Sequence, residues 1–142
     1  MTIAVAGTEG IERYRALPIF AELGDSALRH VQELVTEISI PAGQVLVNAG
    51  DPGSGIFVIL AGTAVVEARG ETMIEVGPGE FVGELALLVP EATRSARVRA
   101  KTDLVCLAIG ANDFRQLIRD EPGIALAMLP VIAHRLWSVM RS

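Results

Sequence analysis

Gly83, Glu84 and Arg94 are the residues of this 142-residue chain whose types and spacing point to binding chemistry. Glu84 follows Gly83 and opens the run Glu84-Leu85-Ala86-Leu87-Leu88, which reads as one helical turn set within a β region. A glycine at its start lets backbone approach closely. The free N–H groups of such a turn form a small anion site, helped by the helix dipole. On the strand that follows, Ala96, Val98 and Ala100 alternate with Ser95, Arg97 and Arg99. Residues two apart share a face, so a strand extended back to residue 94 points Arg94 inward with Ala96 and Val98. A buried guanidinium without an anion is costly. Glu84 and a bound phosphate are the two partners that would satisfy it.

Other chemistries fail on spacing. No glycine is followed by lysine, so there is no Walker A loop. The glycines of Gly50–Gly55 and Gly77–Gly83 miss the dinucleotide fingerprint and read as β-turns. The two histidines, His30 and His134, lie in separate helical regions, which disfavours a metal site and leaves a hydrolase without a base. The lone Cys106 lies in the apolar run Leu104–Ile109 and reads as a buried, inert thiol. No catalytic apparatus is visible, and the chain is not expected to be an enzyme.

The elements that must position Glu84 and Arg94 are strands in the middle and helices at the ends. Asp25 and Ser26 are cap-type residues before an amphipathic helix carrying Leu28, Val31 and Val35. Short Val/Ile-rich runs follow: Gln44–Asn48, Ile56–Ala61, Thr63–Arg69, Thr72–Val76, Ser95–Ala100 and Leu104–Ile109. Glycine turns separate them, which suggests a sandwich or barrel. From Asn112 the pattern is helical again, and Pro122 can open a further helix. Ile124–Ala133 is apolar nearly all round, so cover on more than one side is expected. Pro130 inside it should kink or split the helix near Met128–Pro130.

Length and composition agree with one domain, residues 1–142, with a flexible start. Hydrophobic residues are 51% and aromatics 4%, so Val, Ile, Leu and Ala must build the core. A net charge of −5 argues against a nucleic-acid backbone binder. No basic leader precedes the apolar N-terminal stretch, and the uncharged runs Gly55–Val66 and Pro122–Ala133 are too short to span a bilayer. A soluble cytoplasmic protein is expected.

The run Gly83-Glu84-Leu85-Ala86-Leu87, with Arg94-Ser95-Ala96-x-Val98-x-Ala100, resembles the phosphate-binding cassette of cyclic nucleotide-binding domains. The likeness covers about residues 17–137, the family core, through Pro41–Leu46, Gly50–Gly53, Ile59–Gly62, Gly77–Glu80 and Ala111–Leu117 into the last helix, and the Arg94-Ser95-Ala96 form resembles the bacterial catabolite-activator branch more than the eukaryotic kinase-regulator branch. The resemblance implies a mainly β fold with flanking helices: a jelly-roll barrel (double-stranded β-helix), N-terminal helices, a short cassette helix and C-terminal helices kinked near Pro130. It implies a regulatory, signal-transducing module. Glu84 would take the ribose 2′-hydroxyl and Arg94 the cyclic phosphate. Gly83, Leu85 and Ala86 would offer backbone N–H groups, Ser95 its hydroxyl or N–H, and Ala96 its N–H. Val47, Val58 and Val98 are candidates to line the base site; Arg135, Trp137, Val139 and Met140 are candidates to cap it. Relatives carry hydroxyl residues at about the positions of Val139 and Met140, where this chain has valine and methionine. Arg97 stands where some cyclic-GMP binders carry Ser or Thr, which favours cyclic AMP over cyclic GMP. Trp137 suits a dimer contact equally well, so a homodimer through the C-terminal helix is the protein partner in view. No cofactor and no metal are expected, the downstream effector is unspecified, and no helix-turn-helix is expected within these residues, as for a stand-alone sensor or the regulatory domain of a larger protein. The competing reading is a nucleotide-insensitive structural or dimerisation module of the same fold.

Overall fold

A computed structural model describes residues 10–47, 55–68, 71–84, 88–89 and 96–141. Two four-stranded antiparallel sheets form its centre. One runs β1 (Thr36–Ile40), β8 (Leu104–Ile109), β3 (Ile56–Ala61), β6 (Phe81–Val82). The other runs β2 (Val45–Val47), β7 (Arg97–Ala100), β4 (Ala64–Ala68), β5 (Glu71–Val76). The jelly-roll expectation is thereby met. Strands β3 and β8 occupy the residue ranges read from the sequence, because turn residues bound each apolar run closely.

Two strands had no sequence signal. β1 follows α2 (Asp25–Leu34) after Val35 alone, and the helical pattern runs into it unpunctuated. β6 is two residues long, below the reach of a period-2 pattern. The N-terminal helical turn α1 (Glu12–Arg15) and the 3-10 turn Pro18–Phe20 were likewise unmarked. Asp25 does not cap α2; Gly24 holds the cap position, and the Asp25 carboxylate accepts a hydrogen bond from Arg15 instead.

Alternation along β3 divides the core. Phe57 and Ile59 face the space between the sheets, with Val82, Val98, Leu104 and Cys106. Ile56 and Val58 face the helices, packing with Phe20, Leu28, Phe114 and Ile124. Val58 therefore does not line the barrel interior, contrary to expectation, since its parity is opposite to that of Phe57 and Ile59. Val47 and Val98 do belong to the inner cluster.

Helices α3 (Ala111–Asp120) and α4 (Gly123–Arg141) complete the helical layer. The helix expected to kink or split near Pro130 is not split: it runs unbroken over Gly123–Arg141. Pro130 and Leu126 both lie on the exposed side, so water can serve the Leu126 carbonyl that the missing N–H leaves free. Cover on several sides is also not found. Ile124 and Met128 are buried, while Leu126, Leu129, Leu136, Trp137, Val139 and Met140 are exposed. The all-round apolar pattern conceals one docked stripe and one exposed stripe. At 19 residues and a mean hydropathy of 1.5, α4 has the length and composition of a membrane span, yet Ile124 and Met128 tie its inner face to the protein core.

Candidate functional site

Backbone crowding places the start of the cassette. Gly83 has φ +97°, and a Cβ there would lie 2.5 Å from the Gly55 carbonyl oxygen. Gly55 has φ +117°, and its own Cβ would lie 2.1 Å from the Ile109 carbonyl oxygen. Only glycine fits this stack of three chain segments. It sets Glu84 immediately beyond the end of β6, pointing into the protein.

Glu84 is 6% exposed and is the one buried charged residue among the described residues. Its partner comes from α4. Arg135 Nη1 donates to Glu84 Oε2 at 3.0 Å, and Arg135 Nη2 donates to the Phe81 carbonyl at 2.7 Å. The Arg135 guanidinium carbon stands 4.7 Å from the centre of the Phe81 ring. Both side chains of the pair are largely withdrawn from solvent, 14% exposed for Arg135 and 8% for Glu84. Charge-assisted bonds of this kind are about twice as strong as neutral ones. The sequence made Arg135 a base cap; in this structure it holds Glu84. Phe81 drew no attention in the sequence, because a buried aromatic reads as core.

The other site candidates are distributed as follows. Leu85, Ala86, Arg94 and Ser95 lie outside the described residues. Ala96 is half-buried and leads into β7. Trp137 is two residues from Arg135, about 200° around the helix, and stands on the exposed side of α4. Its ring carries Arg141 at 4.3 Å and His134 at 5.8 Å. Val139 and Met140 are exposed with it.

The parity read for the strand after the cassette holds on β7. Val98 and Ala100 are buried, and Arg97 and Arg99 point outward. Both arginines converge on Glu67 of β4, Arg97 Nη2 and Arg99 Nη2 each donating at 2.8 Å. Hydrogen bonds from Arg99 and then Arg97 pull the Glu67 carboxyl down to about 2. Arg97 is thus committed to the outer face of the barrel. Burial pushes the Cys106 thiol up to about 12, which keeps it protonated and unreactive. Among the described residues no cluster of His, Cys, Asp or Glu could hold a metal ion.

A buried carboxylate, set beyond β6 by a glycine stack and met by the last helix, lies within a two-sheet jelly roll flanked by helices. The cyclic nucleotide-binding domain pattern matches residues 37–121, and the chain belongs to that family. It is 36% identical over 110 residues to a cyclic nucleotide-gated potassium channel of Mesorhizobium japonicum, covering 78% of this chain and 30% of the channel. The N-terminal domain of a transcriptional regulator from Streptomyces coelicolor A3(2) superposes with a TM-score of 0.64 at 30% identity, covering 89% of this chain and 93% of that one. The catabolite activator protein of Thermus thermophilus superposes at 0.70 with 28% identity, over 85% of this chain and 59% of that one. The chain spans less than a third of the length of the curated relatives it matches.

Proposed function

We propose that this domain binds a 3′,5′-cyclic nucleotide, cyclic AMP in preference to cyclic GMP, and relays its presence through α4 without catalysing a reaction. The observation that carries the reading is Glu84: a buried carboxylate delivered to the cassette by Gly83 and gripped by Arg135 of α4. A carboxylate held by one guanidinium keeps free lone pairs for a ribose hydroxyl. Arg94 supplies the charge for the phosphate, with backbone N–H groups of Gly83, Leu85, Ala86 and Ala96, and Ser95 beside it. The outward commitment of Arg97 leaves base reading to apolar contacts, which suits adenine. Calorimetric titration with cyclic AMP, cyclic GMP and 2′-deoxy cyclic AMP tests this. The expected order is cyclic AMP tightest, with the deoxy analogue weaker by the loss of the Glu84 contact; no heat with any of them refutes it.

The relay uses the same arginine. Nucleotide that engages Glu84 alters its pairing with Arg135 and repositions the segment after Pro130, which serves as the joint. A ligand shifts such an equilibrium only through contacts that differ between the two states, and the Glu84–Arg135 pair is one. Trp137 is the single tryptophan, so its emission reports the segment. Saturating cyclic AMP that binds yet leaves Trp137 emission and hydrogen exchange over Val131–Met140 unchanged refutes the relay.

One observation favours a dimerisation role beside sensing. Leu126, Leu129, Ala133, Leu136 and Met140 are all exposed and follow the alternating three- and four-residue spacing of a heptad seam. The flanking positions Pro130, Ile132, Trp137 and Val139 carry no charge to repel an identical helix. A second copy of α4 is the occupant this seam fits. Sedimentation should show a dimer that Leu136→Glu converts to monomer; a monomeric wild type overturns it.

A further inference from the structure

Phe81 sits beneath the Arg135 guanidinium in a way that packing alone does not require. It lies on β6, paired with Val58 of β3, and its ring is 2% exposed in the helix-facing core. The next residue, Val82, faces the inter-sheet core, so both sides of this two-residue strand are anchored. A ring so held is a fixed surface.

Arg135 meets that surface at three points. Nη2 donates to the Phe81 carbonyl at 2.7 Å, Nη1 donates to Glu84 at 3.0 Å, and the cation stands 4.7 Å from the ring centre. The planar guanidinium can serve two acceptors along its edges while its charge meets a π-system; an ammonium cannot match that arrangement. One turn back, α4 stands off from the sheet. Ala127 and Val131 border a small cavity of about 130 Å³ whose other walls include Pro18, Ile19, Gly79 and Phe81. Beyond Met128 no described side chain of α4 is fully buried. Val131 and Ile132 pack partly buried against the helix-facing core, and three residues further on Arg135 ties the helix to Phe81 and Glu84.

We propose that Phe81 is a positioning residue of the nucleotide site: it seats Arg135 and, through Arg135, sets the Glu84 carboxylate as acceptor for the ribose hydroxyl. This rests on the reading of Glu84 given above. Phe81 itself touches no ligand in this scheme. Its influence passes through one side chain, and a double-mutant cycle isolates that dependence.

The test compares wild type, Phe81→Leu, Arg135→Met and the double variant, each titrated with cyclic AMP and each melted without nucleotide. Phe81→Leu should weaken cyclic AMP binding about five- to tenfold when Arg135 is present, and less than about twofold in the Arg135→Met background. Equal losses in both backgrounds make Phe81 a core residue only and overturn the proposal. Should Phe81→Leu fail to fold, pentafluorophenylalanine at position 81 keeps the shape and withdraws the π charge. It should weaken binding in the same range, and unchanged affinity overturns the proposal. A wild type that binds no cyclic nucleotide defeats the functional reading. The melting cycle then judges the seat independently: coupled shifts in melting temperature support it, and additive shifts refute it.

Discussion

Replacing Arg135 with methionine removes the only hydrogen-bond partner described for the Glu84 carboxylate while keeping much of the apolar stem. Among the described residues, the variant leaves a carboxylate that is 6% exposed without a counter-charge, and a Phe81 carbonyl without its side-chain donor. Breaking a fully buried pair from one side costs about 3–5 kcal/mol. Here 14% of the arginine side chain still reaches solvent, so water recovers part of that, and the expected loss is about 3 kcal/mol. For a chain of this size that corresponds to a fall in melting temperature of roughly 10 °C. Chemical denaturation gives the free energy directly and should show an unchanged m-value. Neutralising the glutamate separates pair from packing: in a Glu84→Gln background, Arg135→Met should cost only about 1 kcal/mol, the worth of an ordinary hydrogen bond. A wild-type midpoint for Arg135→Met, or the same loss in both backgrounds, would refute the argument that the pair anchors α4.

Arg94→Ala should weaken cyclic AMP by about 2–5 kcal/mol through loss of a buried charge partner, with little change in melting; calorimetry beside thermal unfolding separates the two. Gly83→Ala should destabilise by at least about 2 kcal/mol, because φ +97° and a Cβ 2.5 Å from the Gly55 carbonyl are both intolerable; a neutral effect in denaturant titration would contradict the stack. Glu67 is held down from 4.5 to about 2 by Arg99 and Arg97, so the folded state binds its proton less readily than the unfolded one. Its contribution is therefore present above pH 4.5 and is lost as pH falls towards 2, and Glu67→Gln should flatten stability across that window in pH-dependent melts. Cys106, with its thiol pushed up to about 12 by burial, should resist iodoacetamide at pH 8 until the protein is unfolded; rapid native labelling would place it elsewhere.

What the sequence determined by itself was local. Residues Leu104–Ile109 and Ile56–Ala61 carry their strand identity in β-branched and apolar side chains bounded by turn residues, and β3 and β8 form over those residues. Arg97 and Arg99 were set outward by alternation alone, since a strand has only two faces. Gly83 before Glu84 announced a close backbone approach, because few other reasons place a glycine there. Only the tertiary structure decided who meets whom. Arg135 lies 51 residues from Glu84, and no periodicity within a window spans that separation. A two-residue strand such as β6 exists because β3 offers it a partner, not through any preference of Phe81 and Val82. Likewise Ile124–Ala133 is apolar around its circumference, so composition could not say which side docks. Packing chose the stripe of Ile124 and Met128 and left the Leu126–Met140 seam outside. Pro130 shows the same division: its lost hydrogen bond is written in the sequence, but continuity of the helix depends on which side of α4 the unserved carbonyl faces, and burial sets that.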